Sequence, residues 1–385
     1  MEHFIPYGKQ QITQEDIDAV ASVLTSDYIT QGPVTRAFEE DFAAYIGSKY
    51  AIAVANGTAA LHLCALALDV NRDDRVITTP LTFVASANCI RYCGGQVEFA
   101  DIDPVTLCID LNRVEDLLKK DRKSRIRGLI PVDFAGYPVD MEQCRQLADK
   151  YGLWILEDSC HAPGGHFIDS GQKVQKCGNG AYSDLSIFSF HPVKHITTGE
   201  GGMITGNDPE KIEKIRKLRI HGVTKEPDLL LENHGGWYYE MQDLGYNYRI
   251  TDFQCALGIS QLKRLDENLN RRKIIAERYT AVFEKYDFIR TPGVAENVSH
   301  AWHLYVIRVP DRKGLYDHLR TNRIFAQVHY IPVHLHPYYR NLGWKKGDFP
   351  ESEKYYDHCL SIPMYASLTD SEQEYTITKI MEFFG

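Results

Sequence analysis

From about residue 35 to 260 the chain alternates helical periodicity with short, mostly apolar runs. Tyr50–Ala55 (YAIAVA) has the character of a strand and runs through Asn56-Gly57-Thr58 into the helical pattern AALHLCALAL. Arg75–Thr78, Val97–Ala100, Gly128–Val132, Leu153–Leu156 and Ser186–Phe190 repeat the theme, each short and apolar as buried parallel strands are. Helical patterns over Val114–Lys120 and Met141–Lys150 separate them. Strand–helix alternation of this kind predicts an α/β fold with a large, doubly wound, mostly parallel sheet. Its ligand site is expected at the carboxyl ends of the strands.

After Gly258 the texture changes. Ser260–Tyr286 reads as one long, charged helix of the sort that joins domains. Ala301–Arg308 and Phe325–His329 read as strands, and Gly314–Thr321 and Thr369–Phe383 as helices. The expected organisation is a large domain with its N-terminal segment over 1–260 and a smaller C-terminal α+β domain over 261–385. A helix over Thr13–Leu24, with Thr13 as N-cap and Glu15 and Asp16 in its first turn, is expected to pack near the second domain.

The chain has 385 residues, 44% hydrophobic and 25% charged, an ordinary globular composition. A net charge of −9 without basic clusters points away from nucleic acid and membrane surfaces. No apolar run approaches the roughly 18 residues of a membrane helix. The opening MEHFIPYGKQ lacks an apolar signal core, so a cytoplasmic location is expected. Nine scattered cysteines without a C-x-x-C pair read as buried thiols, not a disulfide framework or zinc site.

Candidate chemistry gathers where strands end. Lys194 follows the strand at Ser186–Phe190 and precedes a Thr/Gly-rich turn (SFHPVKHITTGEGG). A lysine held there can lose its proton and attack a carbonyl, as in a Schiff base with pyridoxal phosphate. Alone, it reads as a solvated loop lysine. Gly57-Thr58 opens a helix and makes an anion site, or an ordinary helix start. The carboxylate in Glu157-Asp158-Ser159-Cys160-His161 is suited to a protonated pyridine nitrogen, or to capping the next turn. Phe83, after the strand at Arg75–Thr78, can stack on a flat ring or fill the core. Asn247 and Arg249 are polar residues in an apolar setting, suited to a phosphate or diphosphate, or simply to a surface loop. His329, His334 and His336 match no common metal spacing, and Pro332 and Pro337 break any helix there. Pro192 argues equally against a zinc helix over His191–His195. No metal is expected.

The set NGTAAL, PLTFVAS, EDSCHA, SFHPVKHITTGEGG, GYNYRITDFQCALG and QVHYIPVH, in this order, resembles the DegT/StrS family of sugar aminotransferases, fold-type I pyridoxal-phosphate enzymes. The likeness extends from Ile5-Pro6-Tyr7 to about residue 365. It implies that Lys194 forms the Schiff base and shuttles the proton, and that Asp158 pairs with the pyridine nitrogen. It implies Phe83 on the ring, His161 near its oxygen, and Gly57, Thr58 and Ser189 on the phosphate. Asn247 would come from a second subunit, which implies a homodimer with shared sites. Tyr7, Asp27, Tyr28, Ile29 and Thr30 resemble the family's N-terminal substrate-binding stretch. Gln327, His329 and Tyr330 lie in the stretch that sits by the sugar nucleotide, and Arg249 joins them as a candidate substrate contact.

The implied reaction moves an amino group, with L-glutamate as expected donor, to a nucleotide-linked keto-sugar. The combination of SFHPVKHITTGEGG with AQVHYIPVH is most similar to the pseudaminic acid branch, which aminates C4 of a UDP-linked 4-keto-6-deoxy-N-acetylhexosamine. Family dehydratases replace the lysine by histidine, whereas this chain keeps Lys194. Other nucleotide sugars, a dehydratase and a non-catalytic sensor on the same fold remain as alternatives.

Overall fold

The computed structural model describes residues 4–385. Seven strands form the central sheet: β1 (Tyr50–Val54), β2 (Arg75–Thr78), β3 (Gln96–Phe99), β4 (Ile126–Ile130), β5 (Trp154–Asp158), β6 (Leu185–Ser189) and β7 (Gly202–Gly206). Their order is β1-β7-β6-β5-β4-β2-β3. All neighbours are parallel except at β7, which runs antiparallel to both β1 and β6. Neighbouring side chains on a strand point to opposite faces. Val76, Ile130 and Leu156 accordingly enter one buried cluster, and Ile77, Leu129 and Ile155 another. Both faces are covered, as the doubly wound expectation requires.

The helices of this part are α1 (Gln14–Leu24), α2 (Pro33–Ile46), α3 (Gly57–Ala67), α4 (Ala85–Tyr92), α5 (Leu111–Lys120), α6 (Met141–Tyr151), α7 (Pro209–Leu218) and α8 (Asp252–Leu262). α3 is apolar on all sides and almost wholly buried, so its start is carried into the interior. α5 and α6 are amphipathic and begin at aspartate caps, Asp110 and Asp140.

The C-terminal part holds α9 (Leu265–Phe283), α10 (Arg312–Thr321), α11 (Pro350–His358), α12 (Asp370–Phe384) and an antiparallel pair, β8 (Tyr305–Arg308) and β9 (Cys359–Ile362). It has its own core, with Ile275, Tyr279, Tyr305, Leu315, Leu360 and Ile377. We propose a domain boundary at the α8–α9 junction, a few residues beyond 260.

The expected single helix over 260–286 is instead two. The chain leaves α8 at Lys263 and Arg264, where Arg264 has φ −107° and ψ 6°. Its guanidinium turns to the buried Asp16 of α1 at 2.8 Å, which also accepts from Gln261 at 2.7 Å. The N-terminal segment therefore touches both parts: α1 packs on α8, and Ile5–Pro6 pairs in parallel with Ile324–Phe325. The expected strand at Ala301–Arg308 starts only at Tyr305, because Trp302 has φ +51° and residues 301–304 bond to the Phe134–Gly136 turn. The one expected over Phe325–His329 reduces to Ile324–Phe325 and an isolated bridge from Gln327 to Ser361.

Candidate active site

The carboxyl ends of β1, β5 and β6 and the loop after β2 surround one cavity of about 700 Å³. Gly57 and Thr58 enter it from the start of α3, Phe83 from the β2–α4 loop, Asp158 and His161 from the end of β5, and Ser189 and Lys194 from beyond β6. Tyr7, His329 and Tyr330 close the opposite wall.

The α3 entrance is shaped for close approach. Asn56 caps the helix, its side chain accepting from the Ala59 amide at 2.8 Å. The amides of Gly57 and Thr58 have no carbonyl a turn behind them and point toward the cavity end of the helix. A Cβ on Gly57 would lie 3.1 Å from Ser189 Cβ and 3.4 Å from Cys160 Sγ, so only glycine leaves this corner open. The helix dipole and free amides favour an anion here.

Asp158 is buried at the cavity floor. Its Oδ2 accepts from Ser86 Oγ at 2.7 Å and its Oδ1 from the Cys160 amide at 3.2 Å. Ser86 is in turn paired with Thr82 at 2.9 Å. Lys194 is half-buried on the turn after β6, its amide bonded to the His191 carbonyl at 2.8 Å. Burial pushes its amine below the ordinary lysine value of 10.5, against the opposing pull of Cys160 and Asp158. Its neutral, nucleophilic form is correspondingly more accessible.

His161 accepts the Ala135 amide on Nδ1 at 3.3 Å, so its proton resides on Nε2, which faces Tyr330 Oη at 3.2 Å. Burial holds this imidazole well below the ordinary histidine range. His329 is buried as well, pushed down to about 3, with Nδ1 on Ser361 Oγ at 2.9 Å and its ring 5.0 Å from Tyr7. Phe83 is 56% exposed and stands over the cavity 6.1 Å from Tyr330, free to cover a planar ligand.

Other candidates lie elsewhere in this chain. Asn247 forms a bridge with Ile220, off the cavity wall. Arg249 lines a separate groove with Gln31, Arg216 and Arg219. Thr30 bridges Thr251 beside that groove, and Tyr28 and Ile29 are exposed. Asp27 is likewise outside the cavity. The Oε1 of Gln327 accepts from the Val328 amide at 2.9 Å, and the residue stays off the cavity wall. Sequence reasoning missed Ser86, Cys160 and His303, all of which line the cavity. Ser86 stands inside the PLTFVAS motif, but its bond to Asp158 spans 72 positions and leaves no local signal.

His334 pairs with Glu353 at 2.9 Å, apart from His329 and its Ser361 partner. Behind Asp158, ligand atoms of the buried Asp133, Glu157 and Cys177 lie within 4.8 Å of one another, the one such grouping among the described residues. Glu157 accepts from Ser186 Oγ and the Gly178 amide, and Asp133 from the Val139 amide. Burial, then the nearby Glu157, push the Asp133 carboxyl well above its usual range. No described helix is long and apolar enough to cross a membrane.

Comparison with known proteins identifies the family of the chain. The model of the DegT/DnrJ/EryC1/StrS aminotransferase family matches residues 10–381. The spore coat polysaccharide biosynthesis protein SpsC of Bacillus subtilis is 39% identical over 388 residues, covering 99% of this chain and 97% of its own. The UDP-4-amino-4,6-dideoxy-N-acetyl-beta-L-altrosamine transaminase of Campylobacter jejuni is 37% identical, covering 98% of both. Among solved structures, Helicobacter pylori PseC, an aminotransferase involved in the biosynthesis of pseudoaminic acid, superposes with a TM-score of 0.89 at 29% identity over 99% of both chains. Aminotransferases of this family depend on pyridoxal phosphate. The chain belongs to the DegT/DnrJ/EryC1/StrS family and is a sugar aminotransferase.

Proposed function

We propose that this enzyme uses pyridoxal phosphate to carry an amino group from L-glutamate to C4 of UDP-2-acetamido-2,6-dideoxy-4-keto-hexose, giving UDP-4-amino-4,6-dideoxy-N-acetyl-L-altrosamine. The observation that carries the reading is the meeting of Lys194, its amine made less basic by burial, with the buried Asp158 in a cavity that opens on the start of α3. The residues fit the cofactor. The corner at Gly57, which a Cβ would fill, accommodates a phosphate beside Thr58 and Ser189. The donors on Asp158 leave a carboxylate suited to a cationic ring nitrogen. When bound, the cofactor supplies an aldehyde that condenses with amines and a ring that withdraws electrons from the bond being broken.

Each side chain then has a defined task. Lys194 Nζ would carry a proton between the substrate carbon and the aldehyde carbon of the cofactor, in one direction in the first half of the cycle and in the other in the second. Asp158 would keep the ring nitrogen protonated. Phe83 would cover one face of the ring. His161 Nε2, beside Tyr330, would donate toward the ring oxygen. Tyr7, His329 and Tyr330 form the wall against which the sugar lies.

A homodimer is part of the proposal. Asn247, Arg249 and the Asp27–Thr30 loop stand away from their own cavity and are suited to completing that of a second copy. Leu231, Trp237 and Leu244 are 88, 76 and 79% exposed, apolar side chains that a second copy would cover.

The test is amination across UDP-, GDP- and dTDP-linked keto-sugars with L-glutamate, following 2-oxoglutarate and the amino-sugar. The UDP-linked 4-keto-6-deoxy-N-acetylhexosamine is expected to react best. A better substrate of another class would replace the sugar assignment. Water loss without 2-oxoglutarate would replace amino transfer by dehydration.

A further inference from the structure

Behind His161 lies a second, fully buried imidazole. The ring of His303 stacks on that of His161 with centroids 4.3 Å apart and planes 35° apart, at the edge of the Lys194 cavity. Two disfavoured backbone segments meet at this stack. One is the Ala135–Gly136 turn, with φ +58° and +100°; the other is Trp302, with φ +51°. They bond to each other through Ala301 N to Gly136 O (2.8 Å) and Leu304 N to Ala135 O (3.2 Å). A Cβ on Gly136 would lie 2.8 Å from the His161 carbonyl and 3.0 Å from the His303 amide, so glycine permits the approach. Arg272 of α9 holds the assembly from the C-terminal part. Its buried Nη1 donates to the carbonyls of Trp302 (3.1 Å), His303 (3.3 Å) and Met364 (3.0 Å). Backbone held in such conformations by surrounding bonds is a recurrent feature of sites that need fixed geometry.

We propose that His303 is a positioning residue for amino transfer: stacked on His161 and anchored by Arg272, it fixes the ring plane of His161 and keeps its proton on Nε2. The proposal rests on the functional reading above, in which His161 faces the cofactor oxygen. The Ala135 amide needs a bare Nδ1 to donate to, so a flip of the His161 ring would lose that bond and turn a carbon toward Tyr330. The stacked ring blocks the rotation. After burial, the strongest influences on His303 are His161, Lys194, His195 and Arg272. Burial and these neighbours keep His303 neutral, so it serves as a plate and not as an acid.

The test compares the wild-type holoenzyme with His303→Leu, which removes the plane, and His303→Phe, which keeps a plane without nitrogens. Thermal unfolding and bound cofactor establish integrity. With His303→Leu, kcat is expected to fall about tenfold to a hundredfold. KM for the amino donor should stay within about twofold, and the pH midpoint of the bound-cofactor absorption band should move by about half a unit or more. His303→Phe should retain kcat within about threefold and leave the midpoint in place. A purely structural role would lower the unfolding temperature without moving that midpoint. A folded, cofactor-loaded His303→Leu enzyme with unchanged kcat and midpoint overturns the proposal. So does a His303→Phe enzyme that loses tenfold or more, which also decides the matter if the leucine variant does not fold. A wild-type protein that takes up no cofactor would instead overturn the functional reading and the proposal together.

Discussion

Gly57→Ala adds one methyl group where β1 turns into α3. That methyl would sit 3.1 Å from Ser189 Cβ, 3.4 Å from Cys160 Sγ and 3.5 Å from Ser189 Oγ. The neighbours have little room to yield. Ser189 is paired to Gly202 on β7, and Gly202 itself packs so closely that a Cβ there would lie 2.6 Å from the Asn56 backbone. Overpacking of this kind costs about 1–3 kcal/mol. The backbone of α3 is not a source of strain, because Gly57 is absent from the positive-φ residues. Alanine in place of a helical glycine returns up to about 1 kcal/mol. Both effects act in the apo-protein, which should lose about 0–3 kcal/mol of stability. Cofactor affinity should also fall, by about 10- to 150-fold, because the methyl occupies the phosphate corner and displaces the Ser189 hydroxyl, and a hydrogen bond to a charged group is worth about 1.5–3 kcal/mol. Titration of apo-protein with pyridoxal phosphate, followed by absorbance, gives the affinity, and denaturant unfolding gives the stability. An affinity within twofold of wild type would refute the placement of the phosphate at this corner.

Two further outcomes follow from buried titrating groups. Burial lowers the pKa of Lys194, so an amine-directed reagent should label residue 194 of the apo-enzyme with a pH midpoint below 10.5; a midpoint at or above 10.5 would refute it. The Asp133 carboxyl is raised by burial and by Glu157, so the folded state binds a proton that the unfolded state has released. Its stabilising contribution is present below the ordinary value of 3.8 and is lost as pH rises toward the folded value. Asp133→Asn should therefore gain stability relative to wild type between pH 5 and pH 8, and an unchanged difference in denaturation midpoint between those pH values would contradict this.

The sheet was legible because buried parallel strands are short apolar runs, and Arg75–Thr78 and its neighbours fall where the pattern puts them. β7 escaped notice because glycines bound its few apolar residues and its antiparallel direction leaves no local trace. The break between α8 and α9 is also silent in sequence. Lys263 and Arg264 are good helix formers, and what ends the helix there is the long-range pairing of Arg264 with Asp16. The site residues at strand ends, Gly57, Asp158, Ser189 and Lys194, were readable because strand-end position and chemical type coincide. Ser86 and His303 were not, since each touches a partner distant in sequence: Asp158 for one, His161 for the other. Asn247 and Arg249 were readable as polar residues in an apolar setting, but a single chain gives them no place at its own cavity.

The functional reading depends on a covalent bond between one lysine and the cofactor. Borohydride reduction of the holoenzyme, followed by proteolysis and mass mapping, should leave a pyridoxyl group on the peptide that carries Lys194 and none in Lys194→Ala. A label on a different lysine, or a protein that retains no cofactor to reduce, would contradict the account.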